Sequence, residues 1–136
     1  MPTEIRSELS KKNKYWIPKH RYYELKHFVM QYPEWVDEVQ FIDSMVRASQ
    51  TGIKLNQIPD PVGKAVERRV VYTKNIYICD TIAKETDPVI GDYILKAVIS
   101  GDSYDKIKAK FNIPCCKDVW YDLYHKFFWL LDAARK

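Results

Sequence analysis

Apolar side chains recur along this chain at the three- and four-residue spacing of an α-helix, and no segment alternates with the period of two that a strand shows. Prolines and N-capping residues mark where the periodic segments begin, and glycine or asparagine marks several of their ends. The predicted helices cover residues 20–32, 33–49, 60–86, 88–98, 104–111 and 117–134. We therefore expect an all-α fold, a compact helical domain of about five to six helices.

The long helix predicted over 60–86 has more than one apolar stripe. One stripe contains Tyr72, Ile76, Cys79 and Ala83, and Val62, Val66 and Val70 begin a neighbouring stripe. The opposite face has Lys64, Arg68 and Lys74, which is typical of a solvated face and is also a candidate surface for binding.

The chain is expected to form a single domain over residues 1–136, with a linker at 51–59 where Gly52 and Pro59 interrupt the periodicity. Two helices and an N-terminal segment precede the linker in residues 1–50, and the remaining helices follow it in 60–136. The N-terminal segment interleaves basic residues with aromatic rings, a composition that suits nucleic-acid binding and equally suits an anchor packed on the core. Its accessory basic residues are Lys12, Lys14, Lys19 and Arg21, with Arg68 added from the long helix.

The segment from residue 103 onwards predicts a helix-turn-helix. Ser103 is a candidate N-cap for a short helix whose Tyr104, Ile107 and Phe111 are expected to point inward. Asn112 tolerates a left-handed conformation where the chain reverses, and Ile113 is expected to fill the space between two helices. A short helix, a tight turn and a longer helix form the layout of this DNA-binding motif.

The last helix has a broad apolar surface. One stripe contains Val119, Leu123, Phe127 and Leu130, and Trp120, Tyr124 and Leu131 widen it. The less apolar side has Lys117, Tyr121 and His125 at intervals of four, a row suited to contacts with phosphates and bases. Asp118 and Asp122 lie beside this row and repel phosphate.

Affinity for DNA is therefore expected to come from the preceding short helix. Lys106, Lys108 and Lys110 are its candidate phosphate contacts, together with its N-cap Ser103. Three basic blocks (residues 1–30, 61–79 and 103–136) alternate with two acidic blocks along the chain, and this favours one basic face over a uniform polycation.

Candidate enzyme chemistry is sparse. The sequence has no glycine-rich phosphate loop, no dinucleotide-binding motif and no H-E-x-x-H motif, so neither an enzyme nor a cofactor is expected. Cys115, Cys116 and His125 are too few and too irregularly spaced for a zinc site, so these cysteines and Cys79 are interpreted as reduced thiols. Neither a signal peptide nor a long apolar run is present, and the expected location is the cytoplasm of a bacterial host cell.

The stretch from Asp87 to Leu131 resembles the C-terminal part of small prophage late-gene regulators of the RinA and ArpU type. The resemblance is carried by Gly101, Ser103, Tyr104, Ile107, Phe111 and Ile113. It implies a sigma-factor-like helix-turn-helix and a phage-encoded transcriptional regulator.

The function predicted from the sequence is binding of duplex DNA for transcription regulation. Host RNA polymerase or another host protein is a further expected partner, and a homo-oligomer is among the expectations. Two alternatives stay open: a phage DNA-packaging small subunit, and an antagonist that binds a host enzyme or defence system through its helical scaffold.

Overall fold

A computed structural model describes residues 13–52 and 60–136, with side chains described over 13–48 and 63–136. Every regular element in these residues is a helix, which confirms the predicted all-α class. The helices are α1 (Lys19–Met30), α2 (Tyr32–Gly52), α3 (Asp60–Thr86), α4 (Gly91–Ser100), α5 (Tyr104–Phe111) and α6 (Lys117–Ala134). None of the helices in these ranges is long and apolar enough to cross a membrane. Lys12 and most of the predicted linker, residues 53–59, lie outside the described residues.

Two predicted boundaries are wrong by a few residues. Helix α2 continues through Gly52, so the first two residues of the predicted linker are helical. Helix α4 begins at Gly91 and not at Pro88, because the Asp87 carboxylate accepts hydrogen bonds from the backbone N–H groups of Val89 (2.9 Å) and Ile90 (2.8 Å). These bonds hold residues 88–90 as a turn and lower the pKa of Asp87.

The chain folds as two compact units. In the described residues, one unit combines 13–31 with 78–136, and the other consists of 32–52 and 60–77. The first unit therefore joins segments that are far apart in sequence.

The core of the first unit lies where α1, α4 and α6 pack against one another. Its centre is an aromatic cluster in which the Tyr22 ring lies 4.8 Å from the Phe128 ring and Phe128 lies 5.1 Å from Tyr124. The hydroxyls of Tyr22 and Tyr124 are 2.8 Å apart and share a buried hydrogen bond. Aliphatic side chains complete this core, among them Leu25, Val29, Ile94, Val98, Ile107 and Leu131.

A glycine allows α3 and α4 to approach closely. A Cβ atom at Gly91 would overlap the backbone carbonyl of Ala83, which lies in the last turn of α3. Only glycine fits here without a shift of the backbone, and this contact fixes where α4 begins relative to the end of α3.

The second unit contains α2 and the first two-thirds of α3. On the apolar face of α2, Trp35 and Ile42 are buried, whereas Val39 and Val46 are partly exposed. Asp43 on α2 accepts hydrogen bonds from the Arg69 guanidinium on α3, and this pair lowers the pKa of the Asp43 carboxyl.

Candidate nucleic-acid interface

Helix α5 is held by caps at both of its ends. The Ser103 side chain accepts a hydrogen bond from the Lys106 N–H, as predicted for an N-cap. Asn112 ends the helix with φ 52°, the left-handed conformation predicted for it, and its N–H donates to the Lys108 carbonyl. Ile113 is buried in the turn that follows, also as predicted.

Tyr104 connects α5 to both the turn and α6. Its hydroxyl donates to the Cys115 carbonyl at 2.7 Å, and its ring lies 5.8 Å from the ring of Trp120. Tyr104 and Trp120 are both buried, so an aromatic contact and a hydrogen bond together join α5 to the turn and to the first turn of α6.

Two apolar side chains of the predicted motif are exposed. Phe111 keeps 42% of its surface in solvent, so the prediction that it points inward is wrong, and Val119 of the broad apolar surface of α6 keeps 46%. Phe111 lies on the last turn of α5, where its ring is 6.1 Å from the Tyr93 ring of α4. The buried residues of α6 are Trp120, Tyr124, Phe127, Phe128 and Leu131, so Phe127 is the one buried member of the predicted stripe that contains Val119.

The lysines of α5 are all exposed but differ in their neighbours. Lys110 donates to the Asp102 carboxylate at 2.7 Å, and this contact lowers the pKa of Asp102. The Lys108 ammonium lies 5.6 Å from the centre of the Tyr104 ring. Lys106 is exposed on the first turn, so Lys106 and Lys108 are better available to a phosphate than Lys110, which already has a carboxylate partner.

The outward face of α6 combines basic, acidic and aromatic groups. Lys117 is exposed, 3.8 Å from the Asp105 carboxylate and 6.0 Å from the centre of the half-buried Tyr121 ring. Asp118 and Asp122 are exposed on the same two turns. The first two turns of α6 therefore offer both donors and acceptors, and their net charge is negative, because two carboxylates accompany one lysine.

His125 brings no positive charge to this face at neutral pH. It is half-buried, and burial lowers the pKa of its imidazole despite the opposing effect of the Asp122 carboxylate. A neutral imidazole can donate one hydrogen bond and accept another, which suits a base edge better than a phosphate.

The accessory basic residues are dispersed. Lys14 lies 4.8 Å above the ring of Tyr15, and that ring is 5.6 Å from Trp129 of α6, so this part of the N-terminal segment packs on the core. Lys19 begins α1, and Arg68 is exposed on α3. Arg21 donates to Asp132 at 2.7 Å, which raises the pKa of the guanidinium and engages it within the chain.

The thiols do not form a site. Cys79 is buried in α3, and burial raises its pKa to about 12. Cys115 is half-buried with a raised pKa, again chiefly from burial, and Cys116 is exposed at the N-cap of α6. Within the described part of the chain, no group of three or more His, Cys, Asp or Glu side chains is arranged to hold a metal ion.

Sequence reasoning missed one exposed cluster near α5. The Lys96 ammonium of α4 lies 4.8 Å from the Phe111 ring centre and 5.6 Å from that of Tyr93. Tyr93 and Lys96 are three residues apart and so share a face of α4, and this spacing was the sequence signal that could have predicted their contact.

Comparison of the chain with protein-family models, curated proteins and solved structures found no match.

Proposed function

We propose that this protein binds duplex DNA through α5 and α6 and acts as a transcriptional regulator of the RinA and ArpU type. The observation that carries the proposal is the connection between the two helices, in which buried Tyr104 donates to the Cys115 carbonyl of the turn and contacts the Trp120 ring. Tyr104 and Trp120 belong to the core, whereas the lysines of α5 and the polar side chains at the start of α6 are exposed to solvent. In a helix-turn-helix the second helix enters the major groove while the first crosses the backbone.

Different residues serve affinity and sequence preference in this proposal. Lys106 and Lys108 contact phosphates and position the protein, with Lys110 contributing once it exchanges its Asp102 partner for phosphate. Lys117, Tyr121 and His125 face the bases. The exposed carboxylates of Asp118 and Asp122 repel phosphate but can accept hydrogen bonds from the amino group of cytosine, so they favour a restricted set of sequences.

The test is a paired charge reversal read by DNA affinity at several salt concentrations. Lys106→Glu with Lys108→Glu should weaken binding to every duplex and should flatten the salt slope by roughly 2 units, about one for each lost phosphate contact. Lys84→Glu with Lys136→Glu is the matched control, since these lysines are exposed outside α5 and α6 and give the same change in net charge. The proposal is contradicted if both double variants lose the same DNA affinity, or if neither variant changes the DNA affinity.

A second candidate function is protein binding, and a specific observation favours it. Val119 and Trp129 are 46% and 41% exposed on α6, and Phe111 is exposed on α5. Exposed apolar side chains of this size are more typical of protein contacts than of DNA contacts. If the chain is an antagonist of a host protein, Trp129→Ala should abolish its biological effect while the lysine reversals leave that effect unchanged.

A further inference from the structure

Helix α3 has two apolar faces with different surroundings. One face contains Ala65, Cys79 and Ala83, all fully buried within the chain. The other contains Val66, Val70 and Tyr77, which keep 41%, 64% and 69% of their surfaces in solvent. A helix with a second, uncovered apolar face has room for another contact on that side.

The exposed face has the spacing of a coiled-coil seam. Gly63, Val66, Val70, Thr73 and Tyr77 follow one another at alternating steps of three and four residues, and all five are exposed. Single exposed apolar side chains are ordinary on a protein surface. A regular stripe over about four helical turns, roughly 20 Å long, is instead typical of a surface that packs against another helix.

The charges beside this stripe are complementary to those of a second copy of α3. Glu67 and Lys74 are both exposed on the same flank of the stripe, seven residues apart. When two copies of α3 lie antiparallel, with Val70 of each opposite Thr73 of the other, Glu67 of each copy faces Lys74 of the other copy. The two-fold symmetry repeats this favourable pair at both ends of the seam, and the flank is thus complementary to itself.

The charges favour the antiparallel over the parallel orientation. In a parallel pair, Arg69 on the other flank would face Lys74 of the second copy, and no favourable pair would replace the one between Glu67 and Lys74. The repulsion between Arg69 and Lys74 is weakened because Arg69 binds Asp43 of its own chain, so the preference rests chiefly on the pair between Glu67 and Lys74.

We infer that the exposed face of α3, residues 63–77, is a self-association surface on which a second copy of this chain packs antiparallel. The partner is the same helix of an identical chain, and the contact is isologous. The seam is short, so the complex forms at micromolar or higher concentration. This surface shares no residue with the DNA contacts proposed on α5 and α6. The experiments on self-association and on DNA binding therefore test the two proposals independently.

Charge exchange tests the inference. Mass in solution is measured by sedimentation equilibrium from about 1 μM to about 1 mM, the range in which small interfaces associate. The natural chain should shift from monomer to dimer. Glu67→Lys alone or Lys74→Glu alone should raise the dimer Kd by about tenfold or more, because each places like charges opposite each other twice. The double exchange should restore the Kd to within about threefold, since it rebuilds both pairs with the same net charge.

A second pair of variants tests the apolar seam. Val70→Lys should abolish dimerisation, whereas Val71→Lys should not, because Val71 is equally exposed but lies off the stripe. Circular dichroism of both variants checks that the helices are kept. The inference is overturned if the chain is monomeric at every concentration, if the dimer ignores the charge changes, or if the double exchange fails to restore it.

Discussion

At the scale of single residues, burial separates three thiols that look alike in the sequence. Cys79 is packed in the core, Cys115 is half-buried, and Cys116 faces solvent. The thiolate is the reactive form, so a thiol whose pKa burial raises to about 12 is protonated at neutral pH and also inaccessible.

This difference predicts a graded reaction with an aromatic disulfide reagent at neutral pH. Cys116 should react first, Cys115 should follow more slowly because its pKa is raised, and Cys79 should react only when the chain unfolds. Absorbance of the released thiolate, followed with and without denaturant, measures the three phases. Peptide mapping after the fast phase checks the order, and rapid labelling of Cys79 in the folded protein would contradict the described burial.

At the scale of helices, two glycines that both lie near the start of a helix should respond in opposite ways to substitution by alanine. Gly63 lies in α3 with no atom near the place of an added Cβ, whereas a Cβ at Gly91 would overlap the Ala83 carbonyl. Gly91→Ala should therefore destabilise the protein by about 3 kcal/mol, because backbone has to move. Gly63→Ala should stabilise it by about 0.5–1 kcal/mol through helix propensity. Urea unfolding of both variants measures the difference, and similar effects would refute the close approach of α3 and α4.

Sequence signals predicted helices better than they predicted which face is buried. The bounds of α3 and α6 agree with the segments expected from capping residues and periodicity. On α6 the sequence predicted one broad apolar surface and did not separate its buried side, which contains Trp120, from its exposed side, which contains Val119, because adjacent stripes of a largely apolar helix have the same period.

The candidate site was predictable only where it depends on local structure. Ser103, Asn112 and Ile113 have the capping and burial expected from their sequence neighbours. Pairings such as Lys110 with Asp102, or Lys96 with Phe111, join residues from different elements, so their presence depends on tertiary packing that a single sequence does not specify. For this reason the sequence identified the basic residues of α5 but not which of them already have partners.

At the scale of the whole molecule, a basic residue near one end of the chain joins α1 to the end of α6. Arg21 donates through Nε to Asp132 at 2.7 Å and through Nη2 to the Arg135 carbonyl at 3.1 Å. The Arg135 guanidinium in turn lies 3.5 Å from the centre of the Phe28 ring of α1. These contacts add to the packing of α1 on α4 and α6, which joins the two segments, 13–31 and 78–136, of this unit.

This geometry distinguishes a structural role for Arg21 from the accessory DNA contact suggested by the sequence. Arg21→Lys keeps the charge but replaces a fork of donors by a single ammonium, so it should lower the free energy of unfolding by about 1–2 kcal/mol. Arg68→Lys, at an exposed position of α3, is the matched control and should change it by less than about 0.5 kcal/mol. A double-mutant cycle of Arg21→Ala and Asp132→Ala, measured by thermal unfolding, should give a coupling of about 1 kcal/mol. If Arg21 acts only on DNA, the cycle will show no coupling, and Arg21→Lys and Arg68→Lys will unfold at the same temperature.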